Sequence, residues 1–155
     1  MTLEKRKFLI RLCIVCLLVF WSSCKDKSVI VDINSVINKS NEEVINTLGE
    51  PDTTYWQPIF NKKILTAEYT RYRIEFRYFE GKASDIIVRN PTELEFAAST
   101  LKRFGLPESA PDKIEKDVLL RWDNPAEDIK MVSFYSKKRD DNGDPLIYEF
   151  YFKGK

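Results

Sequence analysis

The side chains that most often carry catalysis are unevenly placed in this sequence. There is no histidine among the 155 residues, and all three cysteines, Cys13, Cys16 and Cys24, come before residue 25. Histidine is the usual general base near neutral pH, so its absence excludes serine–histidine and cysteine–histidine catalysis. It also excludes zinc sites that combine cysteine with histidine. Carboxylates are the remaining groups that could do chemistry.

Carboxylates are densest in the segment RDDNGDP, which contains Asp140, Asp141 and Asp144. Oxygen-rich loops can bind calcium, but this spacing lacks the glycine at the sixth position and the distant glutamate of an EF-hand. Because Asn142-Gly143 is a strong turn signal, we interpret the segment as a solvated hairpin turn. We therefore expect no metal, no cofactor and no enzymatic activity. A carboxylate-only enzyme stays open as an alternative, since it would need only two acids facing each other across a cleft.

The first 23 residues have the order of a secretory signal peptide. Basic residues come first, at Lys5–Lys7 and Arg11, and an apolar run of ten residues follows from Leu12 to Trp21. A helix that spans a bilayer needs roughly 20 residues, so this shorter run favours a cleaved signal peptide. Two alternatives stay open: a secreted soluble protein, and an uncleaved anchor formed by residues 8–21.

The residues around Cys24 resemble the lipobox of bacterial lipoproteins. Small Ser22 and Ser23 stand directly before Cys24, and Trp21 takes the place where lipoboxes usually carry Leu, Val or Ile. The resemblance implies that a signal peptidase cuts before Cys24 and that this cysteine receives fatty acyl chains. Lipidation would also consume the one thiol left after the cut, and a lone free cysteine is unusual in an exported protein.

Such a cut would define the domain organisation and the charge of the mature protein. We predict a signal peptide at residues 1–23, a tether at residues 24–30 and a single α+β domain at residues 31–155. Loss of residues 1–23 takes four basic residues and one acidic residue from totals of 25 and 24, so the net charge falls from +1 to −2. Without a basic excess to attract phosphates, nucleic acid is not an expected partner. We expect a lipid anchor in the cell envelope, with the outer membrane favoured and the side it faces left open.

Two segments carry the same signals for a helix followed by a stop. In SNEEVINTLGEPD, Ser40 and Glu43 have the spacing of a capping box, and Gly49 and Pro51 end the helical pattern. In TELEFAASTLKRFGLPES the same roles fall to Thr92, Glu95, Gly105 and Pro107. Both segments have apolar residues at helical spacing. The repeated plan fits either an internal duplication or ordinary helix punctuation.

Strand patterns follow each helical segment. From Tyr72 to Tyr78, apolar residues alternate with charged ones, which predicts a strand with one solvated face. The chain is expected to turn at Gly81 and return along residues 83–89. Further strands are predicted at residues 118–122, 129–135 and 146–153. We therefore predict an α+β fold in which two helices pack on one face of an antiparallel sheet, with two degenerate helix-plus-strands repeats as a variant of that plan.

Two segments, INKSNEEVINTLGEPDTTYW and YRIEFRYFEGKASDIIV, together resemble one group of envelope proteins. They are similar to the small outer-membrane lipoprotein family that includes the accessory lipoprotein of the β-barrel assembly machinery, and to the wider group with the β-lactamase-inhibitor-protein fold. The shared features are a helix that ends in Leu48-Gly49-Glu50-Pro51 and a hairpin that turns at Gly81-Lys82. The resemblance covers residues 33–88. It implies a non-catalytic module that binds or scaffolds another envelope protein.

Five residues are candidates for the interface with that partner. Tyr55 and Trp56 lie in a predicted loop with Gln57 and Pro58, and aromatic residues are enriched at interfaces. A row of arginines on the solvated face of the predicted strand supplies the other three candidates: Arg71, Arg73 and Arg77. This row could be a simple solvated surface, or could meet an acidic partner or anionic lipid headgroups. A different class of function, carriage of a small lipid or cell-wall ligand between helices and sheet, also stays open.

Overall fold

The elements of secondary structure are known for residues 29–91 and 94–155, which a computed structural model describes. The helical elements are the 3₁₀ helix η1 (Ile33–Ser35), the α-helix α1 (Asn41–Leu48) and the 3₁₀ helix η2 (Ala98–Phe104). The strands are β1 (Thr53–Ile59), β2 (Lys62–Tyr69), β3 (Ile74–Phe79), β4 (Lys82–Arg89), β5 (Lys113–Glu115), β6 (Leu119–Ala126), β7 (Ile129–Arg139) and β8 (Pro145–Gly154). The predicted signal peptide, Cys24 and Thr92 lie outside the described ranges.

The eight strands form one antiparallel sheet in the order β1-β2-β3-β4-β8-β7-β6-β5. Each half is a four-stranded meander in which consecutive strands pair, and a helical segment precedes each half. The halves meet where β4, the last strand of the first meander, pairs with β8, the last strand of the second. The first strands of the two meanders, β1 and β5, therefore form the two edges of the sheet. The fold is therefore mixed α+β and mostly sheet.

Helix α1 begins at the capping box that the sequence predicts. The Ser40 hydroxyl accepts a hydrogen bond from the Glu43 N–H at 3.2 Å, and the Glu43 carboxylate accepts one from the Ser40 N–H at 2.8 Å. Two backbone donors that the helix cannot satisfy internally are thus paired. The helix ends at Gly49, whose φ of 87° and ψ of −174° lie in a region that is essentially restricted to glycine.

Replacing Ser40 with alanine should lower the free energy of unfolding by about 1 kcal/mol, because the N–H of Glu43 loses its acceptor. Two hydrogen bonds with Ser40 hold the pKa of Glu43 below its usual value. The bond with the Ser40 backbone has the larger effect, and the bond with its side chain has the smaller one. A lowered pKa stabilises the fold above the unfolded-state pKa, and this contribution is lost as the pH falls through the folded-state pKa. Urea unfolding at several pH values measures both effects. An equal loss from Asn46→Ala, at an exposed position of the same helix, would contradict the capping explanation.

The second predicted helix is shorter than expected and starts later. Glu95 does not cap it: the backbone of Glu95 forms a bridge with Leu146, and the Leu94 carbonyl accepts the Ile147 N–H at 3.3 Å. Leu94 and Glu95 therefore contact the start of β8 instead of forming the first turn of the helix. Helix η2 begins after Ala97, without a side-chain cap, and is of the 3₁₀ type. Its end is as predicted, since Gly105 adopts the left-handed conformation.

Alternation along the strands gives the sheet two different faces. The first, which we call the Phe76 face, consists of apolar side chains of every strand from β2 to β8 except β5. Its buried members are Ala67, Tyr69, Ile74, Phe76, Tyr78, Ala83, Ile86, Val88, Leu120, Trp122, Val132, Phe134, Phe150 and Phe152. Ile33 of η1, Val36 directly after it, Val44 of α1 and Leu101 of η2 belong to the same hydrophobic core. Rings fill its centre, with Phe150 4.6 Å from Phe104 and 4.4 Å from Phe134 between ring centroids.

The first hairpin, β1–β2, was not expected from the sequence, and the predicted loop at Tyr55–Pro58 is wrong. These residues belong to β1, which pairs with β2 around a two-residue turn at Phe60 and Asn61. Both turn residues have positive φ, 47° and 63°, as a type I′ turn requires. Glycine and asparagine are the usual residues at such positions. With phenylalanine at the first of them, the sequence carries no recognisable signal for the turn. Pro58 suits a strand here because β1 is the edge of the sheet.

Candidate functional site

The second face of the sheet differs from the core face in composition. We call it the Tyr55 face and define it by alternate residues of β1–β4 and β6–β8. Its members include Tyr55, Ile64, Thr66, Glu68, Glu75, Arg77, Asp85, Ile87, Arg89, Leu119, Ser133, Tyr135, Glu149, Tyr151 and Lys153. Ile64 and Ile87 are buried but do not belong to the hydrophobic core. Their neighbours in register on this face are Gln57 for Ile64, and Glu75 and Tyr151 for Ile87.

Glu75 is the centre of an ion-pair network on this face. Its carboxylate accepts hydrogen bonds from Nε of Arg77 at 2.6 Å and from Nη2 of Arg89 at 2.9 Å. Arg89 also lies 3.8 Å from a carboxylate oxygen of Glu149 on β8. Glu75 is almost completely buried, whereas half of the Arg89 side chain is exposed. Because each oxygen of the buried carboxylate accepts a hydrogen bond from a different arginine, Glu75 holds both guanidinium groups in place.

Tyrosines extend the network to both sides. The Tyr55 hydroxyl donates to the Glu68 carboxylate at 2.8 Å. This bond, with smaller contributions from burial and nearby carboxylates, raises the pKa of Tyr55 to about 12. On β8, burial and a hydrogen bond to Asp85 raise the pKa of Tyr151. Tyr55 and Tyr135 remain 37% and 36% exposed, so their rings are available at the surface of the face.

The Tyr55–Glu68 pair predicts a defined titration. In the Glu68→Gln variant the pKa of Tyr55 should fall from about 12 toward its ordinary value, because the carboxylate acceptor is lost. Tyrosine-labelled NMR as a function of pH measures it. Since folding raises this pKa, the pair's stabilisation is present below the unfolded-state pKa of about 10 and lost as the pH rises toward the folded-state value. An unchanged Tyr55 titration in Glu68→Gln would refute the assignment.

The predicted row of three arginines on one strand face is wrong. Arg77 lies on β3, but Arg71 and Arg73 lie in the turn between β2 and β3. The turn is held by the Asp52 carboxylate, which accepts the Thr70 N–H at 2.7 Å, so the alternating pattern does not continue as a strand. Arg71 stacks over the Tyr72 ring at 5.6 Å.

Arg73 has a more definite setting than the sequence suggests. It has a φ of 55°, and its guanidinium donates to the carbonyl oxygen of Asn90 at the end of β4. Together with Glu75 and Arg89 it lines an open cavity of about 370 Å³ at this end of the sheet. Arg73, Arg77 and Arg89 therefore lie in one region. The sequence did not indicate that Arg89 belongs to this region, because Arg89 lies on a different strand, β4.

Trp56 is separated from the other four candidates. Neighbouring strand residues point to opposite faces, so Trp56 extends from the Phe76 face while Tyr55 lies on the other. Trp56 is 58% exposed at the edge strand, and Nζ of Lys63 lies 5.6 Å from its ring centroid. Trp122, by contrast, is a core residue whose indole N–H donates to the Ser109 carbonyl at 2.9 Å.

The aspartate-rich segment forms the turn between β7 and β8, as interpreted from the sequence. The Asp140 carboxylate accepts the N–H groups of Asn142 at 2.9 Å and Asp144 at 2.8 Å, and Gly143 has a φ of 87°. These bonds use the carboxylate to close the turn. Over residues 29–91 and 94–155, no three acidic side chains are grouped so that they could hold a metal ion.

Comparisons of the chain with protein-family models, with curated proteins and with solved structures found no match. Within the described part of the chain, none of the helices has the length and apolar character needed to cross a membrane. Lipidation at Cys24, which lies outside the described residues, and the resemblance to outer-membrane lipoproteins therefore stay predictions.

Proposed function

We propose that this chain is a lipid-anchored protein of the cell envelope that binds another protein through the Tyr55 face. In this proposal the helical elements cover only the Phe76 face, and the Tyr55 face stays open to the partner. The role is non-catalytic binding or scaffolding, and the fatty acyl chains on Cys24 hold the protein at a membrane, with the outer membrane favoured.

The observation that carries the proposal is the fixed arrangement of arginine and tyrosine on the Tyr55 face. Arginine and tyrosine are over-represented among the residues that dominate binding energy at protein interfaces. Arg77 and Arg89 are already positioned by Glu75, and Tyr55 by Glu68. Side chains that are ordered before binding lose less conformational entropy when the partner docks.

The charges of this face favour a protein over nucleic acid or an anionic membrane. Acidic and basic side chains are mixed on this face: Glu68, Glu75, Asp85 and Glu149 lie among Arg77, Arg89 and Lys153. Most of the arginine charge is neutralised within the network. A phosphate-rich surface would require an excess of positive charge, which this face does not offer.

The two similar halves are consistent with the proposed family relationship. Each half contains a helical segment, a glycine with positive φ and a four-stranded meander. We propose that they are degenerate repeats, and that the resemblance to small outer-membrane lipoproteins and the inhibitor fold reflects a shared binding role. Carriage of a lipid between η2 and the sheet is less well supported, because the rings of Phe104, Phe150 and Phe152 occupy that space.

A pull-down from solubilised envelopes tests the binding role. The double variant Tyr55→Ala/Tyr135→Ala should lose co-purifying proteins that wild type retains, because both exposed rings of the face are removed. The matched control is Phe60→Ala, which removes a ring that is 95% exposed but lies in the β1–β2 turn. Equal recovery of partners by all three proteins would refute the role of the Tyr55 face.

A further inference from the structure

The two most exposed aromatic rings of the described residues lie near the end of the β1–β2 hairpin. Phe60 takes the first position of the turn and is 95% exposed, and Trp56, four residues before it on the edge strand, is 58% exposed. Lys62 and Lys63 follow the turn on β2. We call these four residues the hairpin tip. Single exposed apolar residues need no explanation, but two large rings on one hairpin form a small apolar patch.

Phe60 brings no advantage to the fold. Its φ of 47° is a conformation that bulky residues rarely adopt, and glycine or asparagine is usual at this position of the turn. Its ring is not among the side chains that pack on the hydrophobic core. A residue that strains the turn and adds no packing is explained best by a contact outside the chain.

Lysines surround the rings of the hairpin tip. Nζ of Lys63 lies 5.6 Å from the centroid of the Trp56 ring. Lys62 lies 3.6 Å from Glu80, but both side chains are mostly exposed, so this ion pair contributes little. With Lys82, the neighbouring turns β1–β2 and β3–β4 carry three lysines and one glutamate, a net charge of +2. Such an excess of positive charge favours a surface that presents phosphate groups.

We propose that the hairpin tip inserts into the interfacial layer of a phospholipid membrane, with the Phe60 ring at the boundary of the acyl chains. Protein surfaces that lie in this layer combine tryptophan or phenylalanine with lysine in the same way. Long lysine side chains reach the phosphates while their stems stay in the apolar region. Trp56 lies about 13 Å back along the strand. An inclined hairpin therefore brings its indole to the headgroups, where tryptophan is enriched.

The predicted tether supports a membrane as the occupant. Residues 24–30 span at most about 25 Å when fully extended, so acyl chains on Cys24 would hold the folded part close to the bilayer. This step rests on the proposed lipid anchor, whereas the arguments from Phe60, Trp56 and the lysines do not. The hairpin tip contains no member of the Tyr55 face, so membrane docking and partner binding can be tested separately.

A pocket on a partner protein is the competing occupant for the Phe60 ring. In that case Phe60→Ala would lose co-purifying proteins in the pull-down from solubilised envelopes. Membrane docking predicts that Phe60→Ala recovers them fully, because no bilayer is present in that experiment.

Paramagnetic broadening in lipid nanodiscs tests the proposal on the full chain, with ¹⁵N-labelled tryptophan as the reporter. The discs contain phosphatidylcholine, phosphatidylserine and a lipid with a nitroxide at its headgroup. The variants Phe60→Trp and Ile114→Trp place the same reporter at the hairpin tip and on β5, the opposite edge of the sheet, where Ile114 is 64% exposed. The Phe60→Trp indole signal should broaden several-fold more than the Ile114→Trp signal, and the buried Trp122 signal should not broaden.

Substitutions at Phe60 then test whether its ring holds the tip in the membrane. Phe60→Ala should reduce the broadening of the Trp56 signal several-fold, because burial of the ring in the apolar layer is lost. Phe60→Leu keeps an apolar side chain and should retain most of the broadening. An unshifted Trp122 signal in both variants would show that the fold is intact.

Two results would overturn the proposal. The first is equal broadening of the Phe60→Trp and Ile114→Trp signals, or none in either, which would mean that the hairpin tip has no preferred contact with lipid. The second is a Trp56 signal that broadens as much in Phe60→Ala as in wild type. Mass analysis of the same samples shows whether Cys24 carries acyl chains, so a failure of the hairpin tip is distinguishable from a failure of the lipid anchor.

Discussion

Replacing Phe150 with alanine is expected to lower the free energy of unfolding by about 3–5 kcal/mol. Phe150 is fully buried at the centre of the core, where its ring centroid lies 4.6 Å from that of Phe104 and 4.4 Å from that of Phe134. It connects η2 with strands β7 and β8, so the truncation opens a cavity that neighbouring rings cannot fill without leaving their own contacts. Urea unfolding followed by circular dichroism measures the loss.

Phe60→Ala is the matched control for this substitution. Phe60 is 95% exposed and has a φ of 47°, a conformation that bulky residues rarely adopt. Truncating it removes no packing, so the free energy of unfolding should change by less than about 0.5 kcal/mol. If the two variants lost stability equally, the ring cluster around Phe150 would not be the main core of this fold.

Replacing Cys24 with alanine is expected to abolish both the acylation and the cut before residue 24, so that the whole leader stays on the chain. Each buried methylene of an acyl chain contributes about 0.8 kcal/mol to membrane binding. One acyl chain alone binds only marginally, so stable anchoring takes two anchoring groups, such as two acyl chains. Without the thiol, neither acylation nor the cut that depends on it can occur. Fractionation of cells, with mass analysis of the purified chain, measures both the location and the acyl mass.

Cys16→Ala provides the comparison, because it changes a cysteine of the same leader without removing the proposed acylation site. It should remain membrane-bound and be processed as wild type is. Unchanged partitioning and processing of Cys24→Ala would refute the lipid anchor. It would leave the binding function of the Tyr55 face to be tested separately.

Local signals predicted those elements whose determinants lie within a few residues of one another. Ser40 and Glu43 are three positions apart, and their capping box starts α1 as expected. The hairpin turn at Glu80 and Gly81 and the strand pattern of residues 74–79 also follow from neighbouring residues. In each case the side-chain types that specify the structure are the usual ones for it.

The failures have tertiary or atypical causes. Helix η2 starts late because Leu94 and Glu95 form backbone contacts with β8, more than 50 residues away. The β1–β2 hairpin was hidden because Phe60 occupies a turn position that usually holds glycine or asparagine. The apparent strand at residues 71–73 is a turn because a distant carboxylate, that of Asp52, holds the Thr70 N–H.

The candidate site was predictable only in part, because it depends on strand register. Tyr55 and Arg77 were identified, but their shared face includes Glu75, Arg89 and Tyr151, which come from three different strands. A β-bulge between Arg77 and Tyr78 shifts the pairing with β4 and places Asp85 opposite Arg77. A single sequence does not show such a shift, so the ion-pair network around Glu75 could not be derived from it.

Site-specific photo-crosslinking in intact cells tests the central claim most directly. A photoreactive amino acid at Tyr135, on the Tyr55 face, should give a discrete crosslinked band with one envelope protein. The same amino acid at Lys102, an exposed residue of η2, should give none. No crosslink from Tyr135, or an equally strong one from Lys102, would contradict the account that the open sheet face holds the partner.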